Sequence, residues 1–315
     1  MNSLLSLLPV LAYLLALKAL DSFSLARWKM LLACLGYGIA CCLVLFFFSF
    51  GDFTPVAEEI FKGGLAVFLI LKKRIRFLPE SLIYGGTVGA GFALLENIIY
   101  LYYQPEMMVG TAVVRGFGCA ILHMGCTALV AAIFLLLISS RIPNPIGALL
   151  SFIPSTLIHI SYNLAQQHDL ANPMVLMVVI VFVFICLFII LFSYGEKRIY
   201  KWMDHSISID VQTLSAIRTG NFSSTKAGKY LLDVREQFKP DCFFDMICYI
   251  QLHLELKIEK QSYMLLCETG FSGEDMGETL EEHLAKKSEL AALKRRIGTT
   301  GMRVLSPLVS ERESY

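Results

Sequence analysis

Two adjacent carboxylates and a cation, Glu58, Glu59 and Lys62, interrupt an apolar stretch of the chain. Later apolar stretches carry Glu96, then Arg115 and His123, then His159 with Asn163 one helical turn on. An ionisable side chain at the centre of a membrane-crossing helix costs about 2.5 to 3.5 kcal/mol on insertion scales, so each of these demands a partner or a function. The residue types together support hydrolysis. A carboxylate beside imidazoles can activate water and later return the proton to a leaving amine. An asparagine amide, here Asn163, can donate to the oxyanion that develops. Alternatively His123 and His159 could hold a zinc ion together with Glu58, Glu59 or Glu96, three protein ligands plus water being the pattern of catalytic zinc. Spacing does not choose between these chemistries, and no HExxH run occurs.

The elements that position such groups must be helices in lipid. Hydrophobic residues make up 56% of the 315 and charged residues only 17%, which places most of the chain in a bilayer. Acidic residues number 26 and basic ones 27, leaving no basic field that would attract nucleic acid. The cysteines form no CxxC and no disulfide-scaffold spacing, so they read as reduced, small apolar residues. Apolar runs long enough to cross the hydrocarbon core give about seven spans, near 3–21, 28–50, 54–71, 79–103, 108–139, 145–166 and 172–194. The first run lacks the basic start and small-residue cleavage site of a signal peptide, and reads as a retained span.

Loops rich in Lys and Arg alternate with loops that have none. Lys18, Arg27 and Lys29 flank the first loop, Lys72, Lys73, Arg74 and Arg76 crowd the third, Arg141 marks the fifth, and Lys197, Arg198 and Lys201 follow the last span. By the positive-inside rule the amino terminus lies outside and the carboxyl tail in the cytoplasm, as an odd number of spans requires. Counted at 1.5 Å per residue, Glu58, Glu59, Lys62, Glu96, Arg115, His159 and Asn163 lie roughly 5 to 15 Å below the outer surface, with His123 deeper. Four helices then bring acids and bases to one level, where they can share a hydrated cavity. Lys62 shares a face with Glu58 and can neutralise either glutamate, and Arg115 reads as a counter-ion for Glu96. Asn97 and Thr127 read as hydrogen bonds across helices. Small residues at Gly85, Gly86, Gly89, Ala90 and Gly91 would permit close helix approach.

Composition changes after Trp202. The expected organisation is a transmembrane domain over 1–203, a small helical cytoplasmic tail over 204–300 and a disordered end over 301–315. Within the tail, helical periodicity runs through 242–267 and a charged helix through 275–296, with Glu282 and Lys286 as an i,i+4 pair and Gly270 and Gly273 between the helices. The fold class is all-α, a polytopic helix bundle.

In this order the polar residues resemble the PrsW family of the CAAX-processing and bacteriocin-processing membrane protease superfamily. Its Glu-Glu-x-x-Lys motif is matched by Glu58, Glu59 and Lys62, its Phe-x-x-x-Glu motif by Phe92 and Glu96, its lone helix histidine by His123, and its last motif by His159 and Asn163. The CAAX endoprotease branch carries histidine where this chain has Glu96, so the PrsW branch is the nearer likeness. The resemblance covers roughly residues 28–195. It implies proteolysis of a membrane-embedded protein substrate, such as an anti-sigma factor, in the bacterial inner membrane. The double glutamate and the histidines would be the essential groups, with Lys62, Glu96, Asn163 and Arg115 in support. It also implies either a metalloprotease or glutamate-activated water. A proton-coupled transporter would use similar intramembrane residues, but the inverted repeats and broken helices common in carriers are missing from the sequence. A catalytically inert scaffold is the third reading. No span carries a serine in a GxS context, and the chain's Gly-Asp pair, Gly51 and Asp52, lies in a loop, which removes serine and aspartyl mechanisms.

Overall fold

A computed structural model describes residues 2–21, 23, 25–48, 50–168, 170–268 and 280–309. Among these every regular element is a helix. In chain order they are α1 (Asn2–Ala19), α2 (Trp28–Phe46), α3 (Thr54–Leu71), α4 (Leu78–Tyr103), α5 (Val109–Val113), a π-helix (Val114–Cys119), α6 (Ala120–Ser139), α7 (Asn144–Gln167), α8 (Pro173–Arg218), α9 (Lys226–Val234), α10 (Pro240–Glu268) and α11 (Leu280–Val309), with short 3-10 turns between some of them. The chain divides into two compact units, Met1–Arg198 and Ile199–Tyr315, a boundary within α8 and a few residues before the one drawn from composition.

Local sequence explains the helix starts. Proline stands in the first turn of α3, α4 and α7, where its missing N–H is not needed and its φ suits a helix. At the start of α4 the Glu80 carboxylate accepts from the backbone N–H of Arg76 at 2.8 Å and of Phe77 at 3.0 Å, closing off donors that a helix start leaves open. The chain leaves α3 and α6 through Lys73 and Arg141 at φ 56° and 63°, the left-handed turn that ends many helices.

Among the described residues five helices are long and apolar enough to cross a membrane: Trp28–Phe46, Leu78–Tyr103, Val109–Ser139, Asn144–Gln167 and Pro173–Arg218. The chain is an integral membrane protein. Two of the seven expected spans are helical but fall outside that set, each for its own reason. The apolar part of α1, Leu4–Ala19, is short, and α3 carries Glu58, Glu59 and Lys62 in its 18 residues.

Helix α4 is the hub of the first unit. A Cβ at Gly91 would stand 2.1 Å from the Leu35 carbonyl oxygen of α2, and one at Gly89 would stand 2.3 Å from the His123 carbonyl oxygen of α6. The glycines therefore let α4 touch the backbones of both neighbours, as the small-residue run implied. Around this contact sits a core that includes Leu82, Ile83, Tyr84, Met124, Phe134 and Phe184, all almost fully buried. Thr127 does not bond across helices. Its hydroxyl donates to the His123 carbonyl one turn back in its own helix, at 2.9 Å.

The second unit has its own core, built on Leu231, Met246, Tyr249, Ile250, Leu293, Ile297 and Leu305. Helix α9 is N-capped by Thr225, whose hydroxyl accepts from the Gly228 N–H at 2.9 Å. Lys286 donates to Glu259 of α10. Asp245 and Arg296 join the same two helices at 3.0 Å. The α11 segment breaks at Gly298, whose φ of 71° is not helical, and a further helical stretch runs on to Val309, so residues 301–309 are helical where disorder was expected. The reason is burial: Leu305 is fully enclosed, and the Tyr230 hydroxyl donates to the Val304 carbonyl at 3.0 Å. Residues 310–315, Asp169, Gly270 and Gly273 lie outside the described residues.

Candidate active site

Glu58, Glu59 and Lys62 occupy the second turn of α3 and the start of the next. Lys62 and Glu59 are fully buried and their charged atoms meet at 2.7 Å, whereas Lys62 stands 3.9 Å from Glu58 Oε2. Of the two glutamates that Lys62 could neutralise, the ammonium thus belongs first to Glu59, three residues back. It also rests 4.6 Å from the centroid of the Phe92 ring, an apolar floor with a negative face toward the cation.

The two imidazoles converge on this cluster from α6 and α7. His123 and His159 sit edge to face with centroids 5.0 Å apart, and each is nearly fully buried. His159 Nδ1 lies 2.8 Å from Glu59 Oε1, and His123 Nε2 lies 3.0 Å from Glu96 Oε2. A carboxylate accepts hydrogen bonds, so those two nitrogens are assigned the ring protons and act as donors. The remaining nitrogens, His123 Nδ1 and His159 Nε2, then carry lone pairs. Both face Glu58 Oε2, at 3.9 and 3.7 Å. That oxygen is buried and has no hydrogen-bond partner.

Farther along, Glu96 Oε2 also stands 3.0 Å from Arg115 NH2, an ion pair by distance in which that nitrogen lacks hydrogen-bond alignment. Arg115 Nε donates to Asn97 Oδ1 at 3.2 Å, and the guanidinium lies 3.9 Å from the Tyr100 ring centroid. Three carboxylates therefore face two permanent cations across the network, leaving one acid in excess.

Seven of the eight candidate residues meet in one connected network. Asn163 does not join its hydrogen bonds: it is exposed near the end of α7, while its neighbour Tyr162 is buried. His123, counted as the deeper residue, reaches Glu96 and His159 with its side chain and so joins the same network. Sequence reading missed the Phe92 floor, the Arg115 bond to Asn97, and the π-helix itself. The run Arg115, Gly116, Phe117, Gly118 was its available signal, two glycines in a helix interior being a local break.

Glu58, His123 and His159 can each offer one ligand atom within 4.8 Å of the others and so form a group positioned to bind a metal ion. The donor set fits: two imidazoles and a carboxylate oxygen, each imidazole steadied through its other nitrogen by a carboxylate, as metal-bound histidines almost always are. The acid in excess and the unpartnered Glu58 oxygen favour a cation as well. One contact opposes it, since Lys62 Nζ lies 2.9 Å from His123 Nδ1 and would have to withdraw toward Glu59.

Residues 40–191 match the family model of the PrsW family intramembrane metalloproteases. This region belongs to the PrsW family. No curated protein and no solved structure matches the chain. The PrsW region holds all eight candidate residues, and with it the protein is an intramembrane peptidase; the family is described as one of metalloproteases. Helix α1 and the whole of the second unit lie outside the match.

Proposed function

We propose that the protein is an endopeptidase that cuts a membrane-embedded protein at the level of Glu58, His123 and His159, with zinc as the metal they hold. The observation that carries this reading is the paired arrangement of the imidazoles: each is steadied by its own carboxylate and turns its other nitrogen toward the unpartnered Glu58 oxygen. A bound divalent ion supplies a polarised scissile carbonyl and a water acidified toward neutral pH.

The chain's own residues do the rest. Glu59 fixes the His159 ring and Glu96 fixes the His123 ring, so neither needs to reorient during reaction. Glu58 is the member of the acidic pair that solvent reaches, its side chain being 13% exposed against 0% for Glu59. Through the carboxylate oxygen it does not offer to the ion, it would take the proton as the water oxygen bonds to the carbonyl carbon, and pass that proton to the amine nitrogen as the C–N bond breaks. Lys62 keeps the Glu59 carboxylate compensated inside the apolar bundle.

Glutamate-activated water without a metal is the second reading, and the 2.9 Å contact between Lys62 Nζ and His123 Nδ1 favours it. There Glu58 and His159 would activate the water alone. In both readings α1 and α3 complete a bundle of seven spans, with the amino terminus outside and the tail in the cytoplasm. The charges of α3 are tolerated because they face the network and not lipid. The site then lies in the outer half of a bacterial cytoplasmic membrane.

The test compares membrane proteomes of cells expressing the native protein and the Glu58→Gln variant at equal abundance. Fragments of a membrane protein that depend on Glu58 support the reading; identical proteomes on every substrate background would reject it in favour of an inert scaffold or a carrier.

A further inference from the structure

Arg115 and His123 are bridged by one atom, Glu96 Oε2, which lies 3.0 Å from each. In a regular α-helix residues eight apart are rotated by about 80° at 3.6 residues per turn. Between Arg115 and His123 the chain passes through the π-helix Val114–Cys119, where a wider turn absorbs one extra residue. With one residue absorbed the rotation falls to about 20°, which puts both side chains on the face that Glu96 reaches.

A π-turn is costly in an ordinary helix, and this one is held from outside. A Cβ at Gly116 would stand 1.9 Å from the Leu5 carbonyl oxygen, so α1 lies directly on the turn. Asn97, which accepts from Arg115 Nε, donates to the Ser6 carbonyl of α1 at 2.8 Å, and both residues are buried. The Ser6 hydroxyl in turn donates to the Ala112 carbonyl, just before the turn, at 3.4 Å. Arg115 is therefore fixed at Nε by Asn97, at its face by Tyr100, and at NH2 by the charge of Glu96.

From this we infer that Arg115 is a positioning residue for His123, and that α1, outside the PrsW match, serves the site by clamping the π-turn that aligns the two. The inference rests on the reading of His123 as a site residue. Glu96 is the part-exposed link, its side chain 31% accessible. Without Arg115 it loses its second anchor, and the His123 ring loses a fixed direction.

The experiment uses the full-length protein in detergent with zinc as the probe, comparing Arg115→Gln, Arg115→Lys, Gly116→Ala and His123→Ala. Expected for Arg115→Gln is a loss of about 10- to 100-fold in zinc affinity by chelator competition and in kcat, with KM little changed. The ring-nitrogen NMR signals of His123 should broaden or shift in the metal-free protein. Arg115→Lys should recover part of each, because it restores the charge without the Asn97 bond. Gly116→Ala should shift the same His123 signals although Arg115 is intact. If Arg115→Gln fails to fold, the Lys and Gly116 variants decide through those signals. Wild-type zinc affinity and His123 signals in every folded Arg115 and Gly116 variant would overturn the inference, as would a loss confined to thermal stability. Full activity of His123→Ala would instead sink the reading of the site on which it rests.

Discussion

His159 Nδ1 lies 2.8 Å from Glu59 Oε1, and this contact aims the other nitrogen of the ring at Glu58. The two neighbouring glutamates consequently hold different posts. Glu59 is the fully buried residue that orients an imidazole and pairs with Lys62, while Glu58 presents a free oxygen to whatever occupies the centre.

The difference predicts unequal costs. Glu59→Gln leaves the Lys62 ammonium buried without its closest anion, and removing one partner of such a pair typically costs about 3 to 5 kcal/mol. Thermal unfolding in detergent should show Glu59→Gln clearly destabilised and Glu58→Gln close to the native protein. Equal melting behaviour of the two variants would remove the distinction drawn between them.

Activity should follow the opposite emphasis. Replacing Glu58 by Gln abolishes its role as proton acceptor, a contribution of about 100- to 10,000-fold, with no loss of protein in the membrane. Cleavage of a fluorescent or tagged substrate, normalised to inserted protein, measures it. Retention of more than a tenth of native activity would exclude Glu58 from the chemistry.

Metal content separates the two hydrolytic readings. Purified protein should carry about one zinc ion per chain by elemental analysis, lose activity on chelation and regain it on adding zinc, as a single three-ligand catalytic site requires. His159→Ala should abolish that stoichiometry. Metal-free protein with full, chelator-resistant activity would establish glutamate-activated water.

Packing around α4 is testable by contrast between two glycines. Gly89→Ala would drive a methyl group to 2.3 Å from the His123 carbonyl oxygen, whereas a Cβ at Gly64 meets nothing within 4 Å. Overpacking of this kind costs roughly 1 to 3 kcal/mol, and here it would also displace His123. The Gly89 variant should lose both stability and activity and the Gly64 variant neither. Identical behaviour would mean that α4 and α6 are less closely packed than described.

Much of this protein was legible without coordinates. Ionisable residues stand out in apolar runs because lipid offers them no solvent, so Glu58, Glu59, Lys62, Glu96, Arg115, His123 and His159 stood out as a group, and their side chains meet in one network. Proline positions marked helix starts, and the glycines of α4 marked its close neighbours. The pairings were not legible. Lys62 chose Glu59 over Glu58, Arg115 reached Asn97 as well as Glu96, Asn163 stayed outside the network, and α11 ran past residue 300. Spacing along a chain fixes which residues can share a helix face to within about a quarter turn and says nothing of how that face is rotated toward its neighbours. That rotation depends on backbone contacts such as Gly89 on His123 and Gly116 on Leu5, and on one absorbed residue in a π-turn, all of which arise only when the helices pack.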